Sequence, residues 1–253
     1  MCFYYSINTK KPDDIVKSGL ISQHKLISIP KKLVVNGFER PCLPVISSNC
    51  VGEVEYFQWG LIPKSVNGKG NADSFAKQYN TLNAKSETAV KSKTFGNAIN
   101  NQRCLVLASG FFEWQHVNKQ KIPYYITLSS ENLFAFAGIW DCWSDEQGQQ
   151  HFTYTILTTQ ANELMSRIHN TKKRMPIILP TDQLSIWLST QINKNNLNSY
   201  LRELASPELK AHTIKPFLSD HQQITNDDIL APYNYENGAT QNNSNNTQLT
   251  IGF

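Results

Sequence analysis

The sequence predicts an α+β domain whose core is a mostly antiparallel, barrel-like sheet with flanking helices. Three observations lead there. Short runs rich in aromatic and β-branched residues crowd the centre of the chain, turn residues separate them, and helical periodicity is confined to a few short stretches. With 253 residues, 40% hydrophobic and 17% charged, the chain can bury a substantial core and reads as globular.

Taken in order, a helix is predicted over 13–20, because Pro12 has the fixed φ that suits a first helical turn. A strand at 54–59 ends at Gly60. Another at 104–108 runs into Gly110 and is followed by the aromatic stretch 111–114. Strands at 124–128, 133–140 and 152–158 complete the sheet. Residues 161–168 and 181–189 are amphipathic, the second with Thr181 in place as an N-cap, and 198–204 forms a last helix. The predicted domain spans 1–235. The segment 236–253, rich in Asn, Gln, Ser and Thr, cannot bury a core and is expected to be a disordered polar tail. No internal repeat is visible.

Composition excludes several classes. No stretch of about 18 apolar residues exists to span a membrane. The start, Met1-Cys2-Phe3-Tyr4-Tyr5, lacks the basic flank and apolar stretch of a secretory signal, and there is no early lipobox, so a cytoplasmic protein without a membrane partner is expected. Cys2, Cys42, Cys50, Cys104 and Cys142 are odd in number and lack CxxC spacing, and the histidines show no HExxH arrangement. Neither a disulfide scaffold nor a metal is expected, and no cofactor. Nothing points beyond a monomer. The net charge of +4 is unevenly placed: Lys64, Lys69, Lys77, Lys85, Lys91 and Lys93 face only Asp73 and Glu87, and Lys172-Lys173-Arg174 forms a second cluster. Such patches suit a polyanion such as nucleic acid; a solvated lysine face is the alternative.

Cys2 is the residue with the most chemistry. Met1 is normally trimmed before so small a side chain, which leaves an α-amine and a thiol on adjacent carbons. The amine condenses with an aldehyde to an imine, and the thiol closes a five-membered thiazolidine. The amine titrates at roughly 7.7–8.0 and a free thiol at roughly 8.5, so both are expected to be partly deprotonated near neutral pH. An N-terminal residue whose amine assists its side chain is an established catalytic device.

Four strings supply what such chemistry needs: Trp59-Gly60-Leu61-Ile62-Pro63; Asn83-Ala84-Lys85-Ser86-Glu87-Thr88; Gly110-Phe111-Phe112-Glu113-Trp114; and Ile168-His169 followed by Arg174-Met175-Pro176-Ile177-Ile178-Leu179. Between two aromatics, Glu113 would be desolvated into a general acid or base, unless it lies on the solvent face of an alternating strand. His169 could move protons or stabilise an oxyanion; the alternative is that it complements a helix C-terminus. Asn83 could orient an amine or thiol, or simply belong to a turn. Trp59 and Trp114 could stack on bases or pack in the core.

In this order and spacing the strings resemble the SRAP family of SOS-response-associated peptidase-like proteins, which shield and process abasic sites in DNA. The likeness runs from Cys2 to about Tyr235. It implies an α+β fold with a β-barrel-like core and a positive channel for single-stranded DNA containing abasic sites. It further implies that Glu113 assists sugar ring opening, that the Cys2 amine and thiol form a thiazolidine crosslink, that His169 shuttles protons, and that Asn83 holds the cysteine. Lyase activity by β-elimination and autoproteolytic removal of Met1 are implied too.

Lys85 stands where the family has arginine, and Arg174 matches the arginine of its Arg-Met-Pro string. Both would contact phosphate, Lys85 without arginine's fork. The chain departs from the family where Phe3-Tyr4 replaces Gly-Arg after the cysteine, and where Thr171-Lys172-Lys173 widens the gap before Arg174. Lys172 and Lys173 are expected to replace the missing charge. Two alternatives stand beside this reading: a thiol peptidase using Cys2 and His169, and a noncovalent binder of modified or damaged DNA.

Overall fold

The computed structural model describes residues 2–130, 132–193, 195–204, 206–217, 227–235 and 249–250. Its strands are β1 (Tyr4–Ile7), β2 (Lys32–Asn36), β3 (Cys42–Ser47), β4 (Glu55–Trp59), β5 (Asn83–Lys85), β6 (Arg103–Ala108), β7 (Gly110–Val117), β8 (Gln120–Leu128), β9 (Phe134–Ser144), β10 (Gln150–Gln160), β11 (Arg174–Pro176), β12 (Ile178–Leu179), β13 (Leu209–Thr213) and β14 (Leu249–Thr250). The helices are α1 (Asp13–Lys17), α2 (Gln23–Ile27), α3 (Lys69–Gln78), α4 (Ser86–Ala89), α5 (Gly96–Asn101), α6 (Glu163–Ile168), α7 (Leu184–Leu188) and α8 (Leu197–Glu203).

Five strands close a barrel. β3 pairs antiparallel with β4 and β6, β6 with β9, and β9 with β10. β10 then runs parallel to β4 through Thr153↔Gln58 and Tyr154↔Trp59, which returns the sheet to its start and pairs the edges that an open sheet would expose. The short strands β5 and β11 lie along the C-terminal part of β10.

A second sheet, ordered β14-β13-β8-β7-β1-β2 and antiparallel throughout, packs on this barrel. Tyr5 and Phe111 meet Phe136 with ring centroids 5.9 Å apart in each case, Tyr5 lies 5.0 Å from Trp59, and the Tyr5 and Tyr154 hydroxyls share a 2.9 Å hydrogen bond. Burial of these rings drives the two layers together. Phe112 belongs instead to a smaller cluster on the outer side, with Tyr125, Ile214, Tyr4, Trp114 and Phe217. The alternation along β7 therefore puts Phe111 and Glu113 on the barrel-facing side, and Phe112 and Trp114 on the other.

The α+β, barrel-cored fold expected from the sequence is the one observed, with differences at the helices. α1 stops at Lys17 because Ser18 turns its hydroxyl back onto the Ile15 carbonyl and Gly19 adopts φ +73. α6 begins after Asn162, whose Oδ1 accepts from the Met165 N–H at 2.9 Å. Thr181 is not an N-cap: it lies inside a 3₁₀ turn, Thr181–Gln183, that makes no side-chain cap bond and leads into α7. α3 has no sequence signal, since it is polar and buries only Ala72. Tertiary contacts hold it, the Arg40 guanidinium donating to the Ala76 and Tyr79 carbonyls at 2.7 and 3.1 Å. The polar tail lies outside the described residues except for Leu249–Thr250, which pair with β13. Among the described residues no helix is long and apolar enough to cross a membrane.

Candidate active site

β1 lies between β2 and β7, so the chain leading into it is carried into the interior, and Cys2, two residues before the strand, is 0% exposed. Its thiol donates to the Tyr4 carbonyl at 3.7 Å. Burial pushes the thiol well above the ordinary cysteine range, and the Glu113 carboxylate adds to the effect. The expectation of a partly ionised thiol is thus corrected. The free-cysteine value belongs to a solvated side chain, whereas this one rests as S–H.

Asn83 opens β5, where pairing with Ile156 of β10 fixes its backbone. Its amide Nδ2 donates to the Cys2 carbonyl at 2.9 Å, while its Oδ1 is buried without a hydrogen-bond partner among the described residues. Asn83 therefore ties the barrel to the chain at Cys2.

Glu113 is buried, at 4% exposure, because it shares the inward side of β7 with Phe111. Burial raises its carboxyl from the ordinary range to about 7. His169 closes α6, its N–H bonding to the Met165 carbonyl, and also faces the site. Nδ1 lies 2.8 Å from the Arg174 carbonyl and 3.3 Å from the Arg174 N–H. The shorter contact assigns the ring proton to Nδ1, which leaves Nε2 as an acceptor 3.9 Å from Glu113 Oε2. Burial lowers the imidazole's pKa, and the hydrogen bond to Arg174 works against that shift. A neutral imidazole beside a carboxyl that titrates near 7 can exchange a proton under physiological conditions.

Two residues far apart in sequence meet here because the turn after α6 is lashed to β7. Asn170 behaves like a strand partner, accepting from the His116 N–H at 3.1 Å and donating to the His116 carbonyl at 2.8 Å. Gln115 adds a bond to the Arg167 carbonyl at 3.1 Å.

A cleft of about 590 Å³ opens over Glu113 and His169. Phe3, Tyr4, Trp114 and Phe217 supply its apolar lining; His116, Lys121, Thr171 and Lys172 supply polar groups. Lys85 and Lys173 are exposed outside that lining, and Lys173 sits in the left-handed region at φ +50. Arg174 places its fork on the Glu87 carboxylate at 2.7 and 2.9 Å and donates to the Thr158 carbonyl at 2.6 Å, so both of its terminal nitrogens are engaged within the protein. Burial works to raise Glu87, but this fork outweighs it and holds the carboxyl below its ordinary value. Trp59 is a core residue, 0% exposed, with its indole N–H on the Leu82 carbonyl at 2.8 Å. No base can reach it, so base stacking at Trp59 is corrected to core packing. His116, Lys121, Asn170 and Phe217 were missed from the sequence. Alternation from Trp114 along β7 could have found His116, which pairs with Lys121 across the hairpin; Asn170 and Phe217 carry no local signal.

A barrel with a second sheet that buries a cysteine at position 2, beside a carboxyl–imidazole pair under a basic, aromatic cleft, defines the class. A family model described as SOS response associated peptidase (SRAP) matches residues 1–220. The chain is 36% identical over 166 residues to abasic site processing protein YoqW of Bacillus subtilis (strain 168), covering 65% of this chain and 69% of that protein. It is 33% identical over 151 residues to abasic site processing protein HMCES of Xenopus tropicalis, covering 52% of this chain and 43% of that one. The crystal structure of a protein from Bacteroides thetaiotaomicron matches with a TM-score of 0.77 at 32% identity, covering 92% of this chain and 100% of that one. The chain belongs to the SOS response associated peptidase (SRAP) family.

Proposed function

We propose that this protein processes abasic sites in single-stranded DNA by forming a covalent thiazolidine through Cys2 once Met1 has been removed. The observation that carries the reading is that Asn83 and Glu113 converge on Cys2, with His169 beside Glu113, from three separate parts of the chain. An abasic deoxyribose is in equilibrium with a ring-opened aldehyde. Glu113, protonated up to about pH 7, assists ring opening by proton transfer. The Cys2 α-amine adds to C1′ and water leaves to give an imine. The thiol then adds across the C=N bond, sulfur bonding to carbon while its proton passes to nitrogen. Condensation and closure together release one water. His169 moves protons or stabilises the developing alkoxide, and Asn83 holds the backbone of Cys2 in place. If β-elimination overtakes ring closure at the imine, strand cleavage gives lyase activity. Removal of Met1 by the protein itself would account for a peptidase character.

DNA is brought in by Lys121, Lys172, Lys173 and Lys85, with Trp114 as a stacking surface. A thiol peptidase would need Cys2 and His169 as a nucleophile–base pair. Here His169 Nε2 faces Glu113, and the thiol points to the Tyr4 carbonyl and rests protonated. The deciding experiment incubates the protein, with Cys2 as its first residue, with abasic single-stranded DNA and looks for a heat-stable adduct. Wild type forms it; Cys2→Ala and a form that retains Met1 do not. No adduct from wild type overturns the reading, and an undiminished adduct from Cys2→Ala overturns the mechanism.

A further inference from the structure

The turn Gly37–Glu39 presents Phe38 to solvent at 57% exposure, an unusual place for so large an apolar ring. The turn is built to hold it there. Asn36 accepts from the Phe38 N–H at 3.0 Å and donates to Glu39 at 3.0 Å, and the Gly37 N–H bonds to the Phe3 carbonyl at 2.9 Å. Gly37 itself lies against the Trp59 ring, where a Cβ would come within 2.8 Å, so the turn is seated on the core. The turn that carries Phe38 is tied in this way, through Gly37, to the residue after Cys2.

The ring extends an aromatic wall. Its centroid lies 4.8 Å from Phe3 and 6.1 Å from Tyr4; Tyr4 continues to Trp114 at 5.2 Å and to Phe217 at 5.9 Å. Phe3, Tyr4, Trp114 and Phe217 line the cleft over Glu113, and Lys121 and Lys172 line the same cleft. Flat apolar rings beside cations match one partner chemistry, an unpaired nucleobase on the rings with its phosphate at the lysines. Resting on the abasic-site reading above, we propose that Phe38, with Phe3 and Tyr4, is a specificity-determining surface that stacks the base next to the abasic sugar. The protein would then read a flanking base where an arginine would have read only phosphate.

The test uses the protein with Cys2 first and three single-stranded oligonucleotides carrying one abasic site. One has adenine on both sides; the others replace the 5′ or the 3′ neighbour with a baseless tetrahydrofuran residue. Crosslinking rates are measured below saturation. Loss of the base on one side is expected to slow wild type by about tenfold, as is Phe38→Ala on the adenine substrate. The two losses should not add, and Phe38→Tyr should restore the rate. Thermal unfolding of Phe38→Ala checks that the exposed turn residue leaves the fold intact. Equal wild-type rates on all three substrates, or additive losses in Phe38→Ala, overturn the proposal. Absence of adduct on every substrate instead overturns the abasic-site reading on which it rests.

Discussion

Nε2 of His169 stands 3.9 Å from Oε2 of Glu113, and both side chains are buried. The gap is too long for a direct hydrogen bond and short enough for exchange through one water or a small closure. Burial sets the two pKa values in opposite directions, Glu113 up to about 7 and His169 down, so below about pH 7 the carboxyl, and not the imidazole, holds the proton.

This pair makes the reaction pH-dependent. The acid form of Glu113 is lost as pH rises through about 7, so the step it assists should slow on that limb. Glu113→Gln should lower the crosslinking rate by about 10²-fold or more and abolish the limb. A pH–rate profile of both proteins checks this.

Glu113 also affects stability, with the sign fixed by the raised pKa. A carboxyl raised in the folded state stabilises the fold when protonated, fully below its unfolded value of about 4.5, and that contribution is lost as pH rises through about 7. Wild type should lose on the order of 3 kcal/mol across that window relative to Glu113→Gln. Denaturant midpoints at pH 5 and pH 8 measure it.

Asn83→Ala removes the hydrogen bond to the Cys2 carbonyl. The expected cost is about 1–3 kcal/mol of stability and a slower crosslink, because the buried carbonyl loses its donor. Asn83→Asp, which cannot donate in its ionised form, should not rescue the rate.

Asn170→Ala should unlace the turn after α6 from β7 while leaving the lysines untouched. Crosslinking is expected to fall about tenfold with little change in affinity for intact single-stranded DNA. Rates and binding isotherms separate the two effects.

The basic residues should behave differently. Lys172→Ala/Lys173→Ala is expected to weaken single-stranded DNA binding and to make its salt dependence shallower by about 0.7 per lost phosphate contact. An unchanged slope would show that these lysines make none.

Glu113, His169 and Asn83 are legible in the sequence as residue types suited to the chemistry of Cys2, but each has a bland alternative that the sequence does not exclude. The structure separates them through facts no string contains. Glu113 is buried because the phase of β7 turns it toward the barrel; Trp59 is lost to DNA because it seats the turn at Gly37. α3 and the missed cleft residues depend on partners distant in the chain, so no local period or cap announced them.

By itself the sequence determined the barrel-cored α+β class, since alternation and turn residues are local properties of the chain. It also placed a cysteine behind Met1 and ordered the residues that would serve it. Only the tertiary structure decided that the thiol rests protonated, that Glu113 titrates near 7, and that Arg174 is committed to Glu87. Ionisation and pairing are set by what surrounds a group in three dimensions, and chain order does not specify those neighbours.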